Sequence, residues 1–248
     1  PVAAAPEAPV APPPMPEASG PQNPVDTLAP ADPALPALAE SDQRVTALLA
    51  ELLGRDKLAS FLVTDGFVRR VVATVDNLAR AHAPSRMWPV QPMPQRFVVD
   101  GEGDAPTTIA TTNAARYSAF LTFAEAVPLE PAVALYARLY PLFQQAYREL
   151  GYPQGYFNDR LRAAIDDMLA APKAQPPIAL AATADGHYVF TDPTWEALSV
   201  GQKLMIRVGP DNERVLKAMR KAGLPEASID TPMMRPGAER LSASLKVK

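Results

Sequence analysis

Beyond residue 36 apolar positions recur at helical spacing, whereas the residues before it carry no such period. Ser41 is placed to cap a helix in which Val45, Leu48, Leu49 and Leu52 share one face, with Gly54 as its stop. A short apolar turn from Leu58 to Val63 leads to Thr64 and Asp65, cap-type residues before a helix with Phe67, Val68, Val71, Val72, Val75 and Leu78 on one side. Asp76 and Arg80 stand four apart on it and are expected to pair at the surface, a contact worth only about 0.3–0.5 kcal/mol. Another block begins at Asn113 with Tyr117, Phe120, Leu121, Phe123 and Ala124 inward. After Pro131, Tyr136, Tyr140, Phe143 and Tyr147 run beside a stripe of Leu135, Leu139, Leu142 and Ala146. Apolar groups then cover more than half of that helix, which marks the surrounded member of a bundle. Pro141 within it predicts a kink or a break, because its ring removes one backbone hydrogen bond and crowds the preceding turn.

Residues 84–106 hold several Pro and the Gly101/Gly103 pair, and read as an extended connection with one edge strand from Arg96 to Val99. Tyr152 to Asn158 forms an aromatic loop, and Asn158 is placed to cap a helix carrying Leu161, Ala164, Ile165, Met168 and Leu169. Ile178 to Ala182 and Tyr188 to Phe190 flank Asp185-Gly186, the signature of a two-residue hairpin and the one well-formed sheet expected. Three short helices follow: Asp192 to Leu198 with Trp195, Val200 to Val208 with Leu204 and Met205 inward, and a last one with Val215, Leu216 and Met219. The fold class is mainly α, a single-domain helical bundle with a small β-hairpin, in residues 37–226. Residues 227–248 are poor in apolar groups and are expected to be disordered.

Composition separates the arm from the body. Twelve of the first 36 residues are Pro, among Ala, Glu, Ser and Asn, so the arm is read as a disordered, polyproline-like spacer. A net charge of −3 gives no global attraction to nucleic acid, and none is expected as a partner. The absence of Cys excludes disulfides and thiolate chemistry. No run of about 18 apolar residues occurs. The chain starts at Pro1, and an Ala/Pro/Glu arm in that place is what usually follows a signal peptide or membrane anchor.

Three segments carry a resemblance: VATVDNLAR (72–80), LYPLFQQAYRELGYPQGYFNDRL (139–161) and DPTWEALSVGQKLMIRVGPDNERVLKAMRK (192–221). Over residues 37–222 the chain resembles a family of uncharacterised bacterial proteins, domain of unknown function 3014. The resemblance implies a single-pass membrane anchor, a Pro-rich spacer and this domain on the periplasmic side of the inner membrane. The anchor is absent from this chain, and the family brings no activity or catalytic residues. A non-enzymatic interaction or scaffold domain is expected, with another envelope protein as partner.

Candidate chemistry is sparse. His82 and His187 lie in different elements without ligand spacing, so no metal and no cofactor are expected. Gly101-Glu-Gly103 and Gly201-Gln-Lys203 lack the rest of a phosphate-binding loop, and no activated-serine motif occurs. Asp159 and Asp166 stand seven apart on one helix with Asp167 beside them, which offers a carboxylate pair for hydrolysis of envelope polymers; a first-turn acid that meets the helix dipole and solvated later ones are the stronger reading. The loop with Tyr152, Tyr156 and Phe157, together with Tyr147, presents flat faces for a peptide or sugar, or closes a helix junction. Arg214, Lys217 and Lys221, with Lys203 and Arg207 upstream, form a basic face for an acidic partner or lipid headgroups, or a solvated one. A cytoplasmic structural subunit with a disordered tail remains the plainest alternative.

Overall fold

The computed structural model describes residues 20–25, 32, 34–101 and 106–223. Most of residues 1–36 and the tail 227–248, both expected to be disordered, lie outside the described residues.

Two apolar clusters organise the chain. The larger is wholly helical. A 3-10 turn, Leu38–Glu40, runs directly into α1 (Asp42–Leu53), so Ser41 already has helical backbone angles. Its hydroxyl therefore donates back to Leu38 O at 2.8 Å instead of capping α1 as the sequence suggested. Gly54, at φ 83°, turns the chain into α2 (Arg55–Phe61), a short helix where an apolar turn was expected. Gly66 donates its N–H to Asp42 Oδ2 at 2.9 Å and starts α3 (Phe67–Leu78), whose Val68, Val72 and Val75 are buried. A 3-10 turn and α4 (Ala115–Glu125) meet α5 (Leu129–Glu149) at 81°. Helix α5 continues through Pro141 without a break, and α6 (Phe157–Leu169) packs against it and against α3. Val45, Leu48, Leu58, Leu139, Phe143, Tyr147 and Phe157 fill the space between these helices. Phe143 stacks on Phe157 with ring centres 5.6 Å apart.

The smaller cluster is built on a β strip. Strands β1 (Val99–Asp100) and β2 (Thr108–Ile109) pair antiparallel, as do β3 (Leu180–Ala182) and β4 (Tyr188–Phe190). A bridge between Thr108 and Ala179, with Ile109 N–H to Ile178 O and Leu180 N–H to Thr107 O, stitches the two ribbons together. The second ribbon departs from the single hairpin expected: strands of two residues are too short to leave an alternating pattern. The β3–β4 turn also differs, since Thr183 N–H bonds His187 O at 2.8 Å and leaves three residues in the loop, with Gly186 at φ 81°. Ala174, Ile178, Leu180, Phe190 and Ile206 form the cluster, flanked by Phe97 and Trp195.

Side chains close both edges of this strip. Asn113 accepts Val98 N–H at 2.9 Å and donates to Val98 O at 2.6 Å beside β1. At β4, Glu196 accepts Phe190 N–H and Arg207 donates to Tyr188 O. Exposed strand edges invite pairing with other chains, and these groups have been withdrawn from it.

Helices α7 (Pro193–Glu196), α8 (Val200–Arg207) and α9 (Pro210–Gly223) complete the body. Helix α8 joins the clusters. Its Ser199–Gln202 capping box satisfies the first turn, Ser199 Oγ donates to Asp167 Oδ2 at 2.6 Å, and Val200 N–H bonds Arg80 O at 2.7 Å. A Cβ on Gly201 would stand 2.6 Å from Met168 Cγ and 3.2 Å from Leu78 O, so only Gly permits this approach.

Part of the arm lies on the globule. Val25 is 4% exposed, Asn23 is hydrogen-bonded to α6, and Asp32 joins Arg138 of α5 at 3.1 Å. The boundary read at residue 36 thus leaves docked residues on the spacer side: 20–25, Asp32 and Leu35. Their reason for docking is local: Asn23 supplies polar groups and Val25 apolar area that the neighbouring Pro and Ala lack.

Candidate functional site

The junction of α5 and α6 concentrates most of the sequence-derived candidates. Gln144, one turn before Tyr147 on α5, ties the loop down. Its Oε1 accepts from Tyr140 OH and from Phe157 N–H, both at 2.9 Å, while its Nε2 donates to Gly155 O at 2.7 Å. One of the orphan N–H groups at the start of α6 is thereby satisfied from another helix. Gly155 is required by crowding: a Cβ there would lie 2.8 Å from the Tyr147 ring, which stacks on Tyr152 with centres 4.5 Å apart.

Of the next three residues of α6, two hold the arm and the third reaches α3. Asn158 Oδ1 accepts from Tyr136 OH at 2.9 Å, and its Nδ2 donates to Asn23 O at 2.9 Å. Asp159 accepts from Gln22 N–H at 3.1 Å, Asn23 N–H at 2.8 Å and Asn23 Nδ2 at 2.8 Å. Arg160 reaches across to α3, where Nε bonds Asp76 Oδ1 at 3.2 Å and Nη2 bonds Asp76 O at 2.5 Å.

Asp76 is 4% exposed, which corrects the expectation of a surface pair with Arg80. The Arg80 contact exists, at 2.7 Å, but Arg160 joins it, and Tyr152 OH donates to Asp76 Oδ2 at 3.3 Å. Two guanidiniums and a phenol around one buried carboxylate repay its desolvation, which a single i,i+4 partner would not. Periodicity placed Asp76 on the correct helix and missed the depth, because Arg160 and Tyr152 approach from far along the chain.

The electrostatics follow from burial. Burial pushes the Tyr147 hydroxyl up to about 12, with the Asp76 charge adding to it. Tyr136 is raised by burial and by neighbouring Tyr140, and Tyr152 by burial and by Asp76. All three phenols are neutral at physiological pH and act as hydrogen-bonding groups.

Tyr147 and Phe157 are 0% exposed, and Tyr152 and Tyr156 are half-buried. The flat faces of the first two pack the core instead of facing solvent. The carboxylates part company: Asp159 holds the arm, Asp166 pairs with Arg162 at 3.0 Å, and Asp167 receives Ser199. The basic face is largely neutralised as well. Arg214 pairs with Asp211, and Lys217 bonds Glu213 at 2.6 Å and Ala171 O at 3.3 Å. Lys203 is buried against Glu196 at 2.8 Å, and Arg207 lies 5.1 Å over the Phe190 ring. Lys221 is in α9, where its side chain is outside the described residues. His82 and His187 are both exposed, and among the described residues no three His, Cys, Asp or Glu groups are placed to hold a metal ion.

One concave surface was missed by the sequence reading. A cleft of about 800 Å³ opens between α1 and α2, floored by Ala47, Ala50, Leu58 and Leu62 and rimmed by Glu51, Arg55 and Asp65. The small Ala positions were its only signal. Asn158 and Gln144 had none beyond their type, since an amide that bridges two backbones is indistinguishable in sequence from a solvated one.

No curated protein and no solved structure matches the chain. The family model described as Protein of unknown function (DUF3014) matches residues 67–222, from the first turn of α3 into α9, and therefore takes in Asp76, Arg80, Tyr152, Asp159 and Arg160. By that match, which covers more than half of its length, the chain belongs to the DUF3014 family.

Proposed function

We propose that the domain is a non-enzymatic interaction or scaffold module of the bacterial cell envelope, carried on the periplasmic side of the inner membrane by its Pro-rich arm and engaging another envelope protein. The observation that carries this reading is the engagement of the acidic candidates: Asp159 and Asp167 each hold one element of the fold against another, and Asp166 is paired with Arg162. A general acid or base needs a group free to meet substrate, and none of these carboxylates is arranged with a second one around a common space. The arm supplies the rest of the argument. Residues 1–19, which precede the docked segment, span roughly 60 Å when extended at about 3.1 Å each, a distance suited to holding a module away from a surface.

The test is a topology reporter fused to the C-terminus of the full-length protein, combined with crosslinking in cells. Reporter activity in the periplasm and a discrete crosslinked envelope protein are expected. A reporter active only in the cytoplasm overturns the location and returns the domain to a cytoplasmic structural subunit. Replacement of both Asp159 and Asp166 by Asn should leave the pattern of envelope-polymer cleavage products in cells unchanged; loss of a hydrolytic product in that strain would restore the enzymatic reading.

A further inference from the structure

The first turn of α6 has the features of a peptide receptor. The Asp159 carboxylate takes two successive backbone N–H groups, those of Gln22 and Asn23, and the Asn23 carboxamide as well. Asn158 returns a donor to the Asn23 carbonyl, so the segment is read on both its donor and its acceptor sides. Tyr136 OH fixes the Asn158 amide from behind, which leaves Nδ2 aimed at the carbonyl. Two residues on, Val25 is 4% exposed and supplies an apolar anchor. Main-chain hydrogen bonds for affinity and one buried side chain for specificity are the recurring logic of extended-peptide recognition.

The flanking segments suit a releasable occupant. Beyond the receptor, Asp32 is attached separately, through its N–H to Arg138 O at 3.3 Å and its carboxylate to Arg138 and Arg44. Residues 20–25 can therefore leave α6 while Asp32 keeps the rest of the arm in place.

We infer that Asn158 and Asp159 form a binding site for an extended peptide of Asn-Pro-Val type, and that residues 22–25 are its resident, displaceable ligand. The tether makes occupation in cis efficient, because a linked segment acts at an effective concentration of the order of millimolar. Release frees residues 20–25 from α6, a gain of about 19 Å at full extension. The site thus sets the reach of the arm. The inference stands independently of the envelope reading, since its test uses the purified chain.

Amide hydrogen exchange of the full chain tests it. The Gln22 and Asn23 amides should exchange at least ten-fold more slowly than in the Asp159→Asn chain, with exchange across α3 and α5 unchanged. Asn23→Ala should free the same amides. A synthetic peptide with the sequence of residues 19–26 should then bind the Asn23→Ala chain saturably, restore Tyr136 and Asn158 resonances toward those of the unaltered protein, and fail to bind the Asp159→Asn chain. Equal exchange at Gln22 and Asn23 in the unaltered and Asp159→Asn chains overturns the receptor, and a peptide that binds both variants alike overturns its specificity. No saturable binding to the Asn23→Ala chain overturns displaceability.

Discussion

The helical cluster around Tyr147 and the smaller cluster around Phe190 are held together by different means. The first is filled by long helices that bring whole rings into contact: Phe143 on Phe157, Tyr147 on Tyr152, Tyr136 on Phe143. Its buried polar groups, Ser41, Asp76 and Gln144, are few. The second is assembled from strands of two or three residues and helices of one or two turns, too short to hold their own geometry. Side chains bonded to backbone do that work: Asn113 on Val98, Glu196 on Phe190, Lys203 on Glu196, Arg207 on Tyr188. Where elements are long, packing specifies the structure; where they are short, hydrogen bonds from side chains must.

Five perturbations test that contrast. Phe157→Ala should cost about 4 kcal/mol in urea denaturation, because it opens a void beneath two other rings. If it costs no more than the polar substitutions below, packing does not dominate the first cluster. Asp76→Ala should cost about 3 kcal/mol, since Arg80 and Arg160 would stay half-buried without their shared carboxylate. Asn113→Ala should cost about 2 kcal/mol, leaving Val98 without a partner for its N–H. Its loss should appear as faster amide exchange across β1 and β2 while α5 keeps its protection. Gly201→Ala should cost about 1–2 kcal/mol by lifting α8 from Met168 and Leu78. Because it acts at the seam, two unfolding transitions in place of one would show that the clusters can part.

The smallest effect concerns pH, and it has opposite signs in the two clusters. Burial raises the Tyr147 hydroxyl, so the folded state resists its ionisation; that contribution is complete below the ordinary Tyr value of 10.0 and is lost as pH climbs toward about 12. Burial also opposes ionisation of Glu196, but Lys203, the Phe190 N–H and Arg207 outweigh it and hold its carboxyl below the ordinary value of 4.5. That contribution is present above 4.5 and is lost as pH falls through the depressed value. Alkaline titration followed by exchange should loosen α5 and α6 first, and acid titration β4 and α8 first. The reverse order would break the comparison.

The same contrast explains what could be read from the sequence. The apolar period of α3 and α5 gave the elements, their inward faces and the central place of the Tyr136–Tyr147 stripe, because packing in long helices leaves a repeating trace. Pro141 misled only in degree: one lost hydrogen bond did not interrupt a helix held on most sides. An edge strand was expected at Arg96 to Val99 and β1 starts at its end, but its partner β2, the role of Asn113 and the depth of Asp76 left no trace, since each depends on a partner many residues away. Asp159 was singled out as a candidate for chemistry. The arm that occupies it contains the composition least suggestive of contact, with a single Asn and a single Val making the difference.

Asp159 and Arg160 are adjacent in the chain, yet one grips the arm and the other grips the C-terminal end of α3. A tug applied upstream of Gly20 is therefore passed within one peptide unit from the arm to a second core helix, and the load is shared before it can unravel α6 from its first turn.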